Sequence, residues 1–322
     1  MLGQNLLRVY VGNEAIKRRG IMGLKYPIDA GVITNFDNIE ELWKYAFMHE
    51  LYVLPERQSV LLTDSPTNEK SNRETMAQVA FESLNINALN ISSQAALALY
   101  AAGRTTGIVL DSGEGVTHAT TIFNGIPISE AVQKMKIGGK VLSDQLILRL
   151  GEKGFPLVTT QERMEARIIL MQESYVATNY HKEMELDGPE LEPYELPDGT
   201  KIVLEALFQP SLHGLDTPMG IHSLVNMSIG RADPSIQTQL YKNIVVAGGN
   251  TMFPGFVDRL KAEIVTLAPS DMTVSLAAPS DRHIATWLGG SILSSLSIFN
   301  QMLVTKEEYE EKGPSVVHTR WL

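Results

Sequence analysis

Between Gly107 and His118, a β-favouring run (Ile108, Val109, Leu110) passes through Asp111 into the turn Ser112-Gly113-Glu114-Gly115. The chain then resumes as a Thr-rich strand from Val116 to Phe123, and Asn124-Gly125 marks a second reversal. This pattern predicts a β-hairpin with a glycine-rich tip. Two glycines one residue apart let successive backbone N–H groups face a single point, which makes a nest for anionic oxygens. A polyphosphate is the natural occupant, although the same spacing also serves as a plain turn. Asp111 at the strand end would repel phosphate unless a divalent cation lay between them. Its carboxylate therefore implies Mg²⁺ or an activated water.

A second glycine corner lies far along the chain. Ile244-Val245-Val246 reads as a buried strand and Ala247-Gly248-Gly249 as a turn. Asn250-Thr251-Met252-Phe253-Pro254-Gly255 then opens a helix, with its N-cap expected at Asn250 or Thr251. A doubled glycine before a helix N-terminus also suits the close approach of a nucleotide.

Elsewhere the pattern is ordinary and globular. The chain has 322 residues, 44% hydrophobic and 20% charged, enough for one large core or two smaller ones. Its net charge of -10 argues against nucleic acid or an anionic membrane as the main partner. It has no cysteine, which excludes disulfides and thiolate metal sites and fits a cytoplasmic setting. The amino end lacks a basic region followed by a long apolar run, and no later stretch reaches membrane-spanning length, so neither a signal peptide nor a membrane span is expected.

Residues 37 to 51 read as an amphipathic helix N-capped by Asp37, with Ile39, Leu42, Trp43 and Phe47 as its core stripe. A strand is expected over Ser59 to Thr63. Helices are expected over Asn72 to Leu84, Ser92 to Ala102, 138 to 151, Gln161 to Tyr175 and Thr286 to Gln301, the Ser/Leu repetition of the last being core packing. Glu183 to Pro197 is an acidic, solvated loop. By position alone, Gln94 is a solvated or capping amide, and His118 is a hydrogen-bonded histidine between a sheet and a neighbouring domain.

Arg104 to His118 closely resembles the second phosphate-binding hairpin of the actin family. The resemblance continues in family order through Tyr10 to Ala15, Leu24 to Ile28, Gly31 to Asn35, Glu205 to Ser211, Gly289 to Leu293 and Gly313 to His318. It implies an α/β fold of the two-domain actin/hexokinase/Hsp70 type, with the two glycine corners meeting on the floor of a cleft. Residues 1–101 plus 285–322 would form the first domain, with 1–26 the remnant of its small subdomain. Residues 102–284 would form the second, with 138–217 as its outer subdomain. Matches begin near residue 10, so the family's opening strand pair, which carries the other phosphate jaw, has no counterpart, and an N-terminally truncated version of the fold is expected.

The resemblance also assigns roles. ATP or ADP, with Mg²⁺ or Ca²⁺, would lie between the corners. Asp111 would organise the metal through water, and Ser112, Gly113, Glu114, Gly115 and Val116 would hold the phosphates. Gln94, which can donate and accept at once, would position the attacking water, with His118 beside it. Gly139 would admit the nucleotide sugar. Gly249, Met252 and Phe253 would pack on the adenine, and His283 stands where the family carries a lysine near the base. Two departures accompany these matches. The family's lysine and glutamate that hold the adenosine fall at Leu170 and Met171, which removes polar contacts worth roughly 1 to 3 kcal/mol apiece. Glu114 replaces an aspartate.

The expected function is an ATP-binding subunit of, or binder to, actin-type filaments in the cytoplasmic cytoskeleton, with weak ATPase activity at most. Its partners would be actin, copies of itself and actin-binding proteins. The alternative is an actin-like scaffold that has lost nucleotide turnover. A sugar kinase of the wider superfamily would need a catalytic carboxylate aimed at a substrate hydroxyl, and the continuous actin matches disfavour it.

Overall fold

Near-continuous apolar runs mark the strands that lie deepest in this molecule, as expected where both faces of a strand are covered. The computed structural model describes residues 9–152, 154–185, 204–217 and 219–320. Strands β1 (Ile28–Asp29) and β2 (Val32–Ile33) form a tight hairpin through Ala30 and Gly31, which have φ of 45° and 81°. Strands β3 (Ser59–Asp64) and β4 (Ala88–Ser93) run parallel, with Asp64 opposite Ser93. Strand β5 (Gly107–Ser112) turns back into β6 (Thr117–Phe123) with Asp111 opposite His118, and both β7 (Ile126–Pro127) and β8 (Gln133–Met135) pair with β6. Strand β9 (Ile244–Ala247) lies parallel to β5 on its other side, and β10 (Leu276–Ala277) lies parallel to β9. Strand β11 (Val304–Thr305) returns antiparallel to β4. Strands β3, β4 and β11 thus form one sheet, and β5 to β10 form another.

Each sheet has its own core. Phe81, Ile86, Leu89 and Ile91 fill the first, where the rings of Phe81 and Tyr309 stack with centroids 4.5 Å apart. Ile108, Leu110, Val246, Phe208 and Phe256 belong to the second. Between the sheets, the helices Gln94–Ala101 and Ala285–Ser295 cross at close range. A Cβ on Gly289 would lie 1.8 Å from the carbonyl oxygen of Leu97, so no other residue fits that crossing. Each half also holds a buried ion pair, Arg73 with Asp64 at 2.7 Å and Arg259 with Glu205 at 2.9 Å.

Several elements differ from the sequence-based expectation. The first long helix spans Phe36–Tyr45 and is capped by Asn35, whose side chain accepts the Asn38 N–H at 2.8 Å, rather than by Asp37. Its stripe is incomplete, since Ile39 is buried but Leu42 is exposed. Ser92 and Ser93 belong to β4, and the helix begins only at Gln94. The closing helix stops at Ser295 because Leu296 turns extended, and the chain resumes as Phe299–Met302. This break lets Leu293, Phe299 and Leu303 share one core, at the expense of leaving Ile292, Leu296 and Ile298 exposed. The Ser/Leu repetition is therefore only partly core. After β9 comes a tight turn, Gly249–Met252, and the helix Phe256–Leu267 is capped by Gly255 rather than by Asn250 or Thr251. The helices Gly139–Glu152 and Thr160–Glu173 lie where the periodicity places them, whereas the one expected over Asn72 to Leu84 is α-helical from Lys70 only to Gln78 and widens into a π-helical turn, Val79–Ser83. Residues 186–203, which hold most of the acidic loop, fall outside the described residues. Among the described residues, no helix is long and apolar enough to cross a membrane.

Candidate functional site

Parallel neighbouring strands release the chain at the same sheet edge, and ligand crevices form there. Because β5 and β9 are parallel, the two glycine corners emerge side by side. At Gly248, φ is 91° and a Cβ would lie 2.3 Å from the Ser112 carbonyl oxygen and 2.5 Å from Asp111 Oδ1, so only glycine can occupy the position. Asn250 then ties the corners together, its Nδ2 donating to the Gly113 carbonyl at 2.7 Å and to Ser112 Oγ at 3.1 Å. Arg282 braces the second corner, donating to the Thr251 carbonyl at 2.7 Å and to Thr251 Oγ1 at 3.1 Å. His283 follows it and is exposed.

The first corner has the anatomy of an anion nest. Its turn is closed by the Gly113 N–H, which donates to the Val116 carbonyl at 3.1 Å. The start of the Gly139–Glu152 helix fixes it from below, through Gly139 N–H to the Gly113 carbonyl at 3.0 Å and Lys140 N–H to the Glu114 carbonyl at 2.8 Å. The next three donors, the N–H groups of Glu114, Gly115 and Val116, have no acceptor among the described residues. Successive free donors of this kind suit phosphate oxygens. Beside them, burial pushes the Asp111 carboxyl up to about 6, and no described residue supplies it with a hydrogen bond or a countercharge. No cluster of three or more His, Asp or Glu stands among the described residues. A divalent cation here would rest on one carboxylate together with phosphate and water, which is how Mg²⁺ is commonly held. Residues and group fit.

Facing the loop after β3, His118 is buried on β6, and its Nε2 lies 3.2 Å from Thr67 Oγ1. Burial, with the nearby Lys134 ammonium, lowers its pKa to about 4, so the imidazole is neutral. Lys134 donates to Thr67 Oγ1 and to the Ala30 carbonyl, both at 3.4 Å. The tip of the β1–β2 hairpin covers the phosphate turn, where a Cβ on Gly115 would lie 3.1 Å from the Ala30 nitrogen. Gln94 begins the helix after β4, while Thr67 follows β3. Those strands are parallel, so Gln94 and the Thr67–His118 contact share one edge. The Gln94 side chain is half-buried and makes no hydrogen bond among the described residues.

The side of the site toward the helix Thr160–Glu173 is built differently. Arg167, on the helix Thr160–Glu173, pairs with Glu114 Oε2 at 2.6 Å, and a Cβ on Gly139 would meet that same oxygen at 2.6 Å. Beyond the helix, Val176 N–H donates to the Pro254 carbonyl at 2.9 Å. The helix therefore spans from the first corner to the second. Leu170 faces the second core at 2% exposure, whereas Met171 is 67% exposed. Phe253 is likewise a core residue, while Met252 is 38% exposed and free to meet a ligand.

The structure thus gathers Asp111, Ser112, Gly113, Glu114, Gly115, Val116, Gly139 and the second corner, with His118 beside Thr67 and Gln94 at the end of the neighbouring sheet. Sequence reasoning missed Asn250 as the bridge, Arg167 as the partner of Glu114, and Thr67 and Lys134 around His118. Only Asn250 carried a local signal, as a polar residue beside a doubled glycine, and it was read as a helix cap.

The family model for actin matches residues 3–321. An actin-like protein of Neurospora crassa is 38% identical over 328 residues, covering 97% of this chain and 86% of the relative. Paired glycine corners on parallel strands, together with a family match from near one end to the other, lead to one conclusion: this chain belongs to the actin family.

Proposed function

We propose that the chain binds Mg-ATP or ADP in this cleft and works in the cytoplasmic cytoskeleton as a subunit of, or binder to, actin-type filaments. The observation that carries the reading is the row of free N–H groups at Glu114, Gly115 and Val116 beside an uncompensated Asp111. When bound, the triphosphate with its Mg²⁺ would supply an electrophilic terminal phosphate. The residues of the chain do the rest. The N–H row holds phosphate oxygens, Asp111 retains the cation through water, Gln94 orients a water by donating and accepting, and neutral His118 offers that water a hydrogen bond. Gln94 and neutral His118 position a water without taking its proton, so hydrolysis would be slow.

A second reading is an actin-like scaffold without nucleotide turnover. It is supported by the helix Thr160–Glu173, where Leu170 is in the core and Met171 offers no hydrogen bond. Titrating the protein with a fluorescent ATP analogue, with and without Mg²⁺, separates the two. Saturable binding that weakens when Mg²⁺ is withdrawn is expected, and no binding at millimolar analogue would sink the first reading. High-speed pelleting with and without ordinary actin then distinguishes a filament former from a filament binder.

A further inference from the structure

We propose that Thr67 is a positioning residue: its hydroxyl donates to His118 Nε2 and so fixes the imidazole in the tautomer that carries its proton on Nδ1. This rests on the nucleotide reading only for the use made of that proton, the hydrogen bond offered to a water. Strand register places the groups. Asp111 on β5 stands opposite His118 on β6, and His118 stands opposite Lys134 on β8. Directly opposed residues of antiparallel strands project from the same face of a sheet. A carboxyl, an imidazole and an ammonium therefore share one face, with the imidazole on the middle strand. Thr67, from the loop after β3, bridges His118 and Lys134. Its Oγ1 lies 3.2 Å from His118 Nε2, 3.4 Å from Lys134 Nζ and 3.4 Å from Ser65 Oγ.

A hydroxyl has one hydrogen to give and two lone pairs with which to accept. The Lys134 ammonium can only donate, and it also reaches the Ala30 carbonyl at 3.4 Å, so it takes one lone pair of Thr67 Oγ1. Two arrangements remain. Either the Thr67 hydrogen goes to a lone pair on Nε2, or Nε2 carries the proton, donates it to Oγ1, and the Thr67 hydrogen turns to Ser65. The second arrangement crowds an ammonium hydrogen and an imidazole hydrogen onto one oxygen, and gives the Thr67 hydrogen the longer contact. The first points the lone pair of the ring toward the cation. With Lys134 on one side of β6 and the Asp111 carboxyl on the other, the local field favours it. Nδ1 has no partner among the described residues and is not sealed from solvent. Held in this tautomer, His118 presents a donor there and cannot take a proton at that nitrogen. Thr67 is exposed, so its side chain can be changed without opening the core.

Nitrogen NMR of the histidine-labelled protein, at neutral pH and without nucleotide, reads the tautomer directly, and His118→Gln identifies the ring signals by their loss. A protonated Nδ1 and an unprotonated Nε2 are expected, and any other pattern would overturn the inference. Thr67→Val keeps the shape of the side chain and removes the hydroxyl. It should release His118 into a mixture of tautomers, whereas Thr67→Ser should keep the wild-type pattern. An unchanged pattern in Thr67→Val would show that another group sets the tautomer. With Mg-ATP present, Thr67→Val should slow phosphate release by about threefold to tenfold, the scale of one hydrogen bond, with the dissociation constant of the fluorescent analogue unchanged. An equal rate would remove the positioning role. Absence of saturable nucleotide binding removes the proposed function and leaves the tautomer to be decided by the NMR spectra.

Discussion

Two parts of the candidate site are made by different means. Where the two corners meet, backbone does the work: Gly113, Gly139, Lys140 and Gly248 meet through main-chain bonds and contacts too close for a side chain, and Asn250 ties both corners. Around the helix Thr160–Glu173 and the second corner, exposed side chains take over, with Met171 and Met252 unbonded and Arg167 reaching back to Glu114 in partial exposure. Backbone geometry is shared by every residue type that can adopt it, so it survives sequence change. Side-chain recognition does not.

The largest effect that would sharpen this contrast is expected from Gly248→Ala. The added methyl would enter the space of the Ser112 carbonyl at a positive φ, costing about 3 kcal/mol or more, read as a lower urea midpoint with loss of nucleotide binding. A midpoint near that of the wild type would show that the corners do not depend on close approach.

Next comes Asp111→Asn. The folded carboxyl titrates at about 6 against an ordinary 3.8, so between those values the folded chain keeps a proton that the unfolded chain has lost. Stability therefore falls as pH rises through that window and stays lowered above it. The variant should be more stable than the wild type by about 2 to 3 kcal/mol near neutral pH, with the gap closing below pH of about 4. It should also lose the Mg²⁺ dependence of nucleotide binding. Urea melts across pH, with and without Mg-nucleotide, measure both effects, and a gap independent of pH would place the Asp111 carboxyl outside the buried cleft.

Ala30→Gly bears on the hairpin tip that covers the phosphate turn. Relief of a left-handed alanine should raise stability by about 1 kcal/mol, visible as a higher melting temperature, and a fall would mean the Ala30 methyl is needed there. The smallest effect is expected from Met252→Ala, under about 1 kcal/mol in the same melts, because the side chain is 38% exposed. A cost equal to that of Gly248→Ala would erase the distinction between the two parts.

Much of the two glycine corners was legible in the sequence, because their signals are local. Ile108 to Leu110 followed by Ser112-Gly113-Glu114-Gly115 announces strand, turn and strand within a few residues, and Ile244 to Gly249 does so again. Cap positions were less legible. Asn35, Asp37 and Asn38 can all cap a helix, and the choice of Asn35 depends on how the chain leaves β2. The end of the closing helix was not legible either, since neither glycine nor proline marks Leu296 and the turn there serves the burial of Phe299.

Periodicity and glycine spacing alone determined the hairpin, the second corner and most helices, because each depends on φ/ψ preferences and burial within one element. Whether Asn250 would cap a helix or reach Gly113, whether Leu170 would face a ligand or the core, and which acid Arg167 would find were decided by packing between elements. Those contacts join residues far apart in the chain, and the energies that select them exist only once the two corners stand edge to edge.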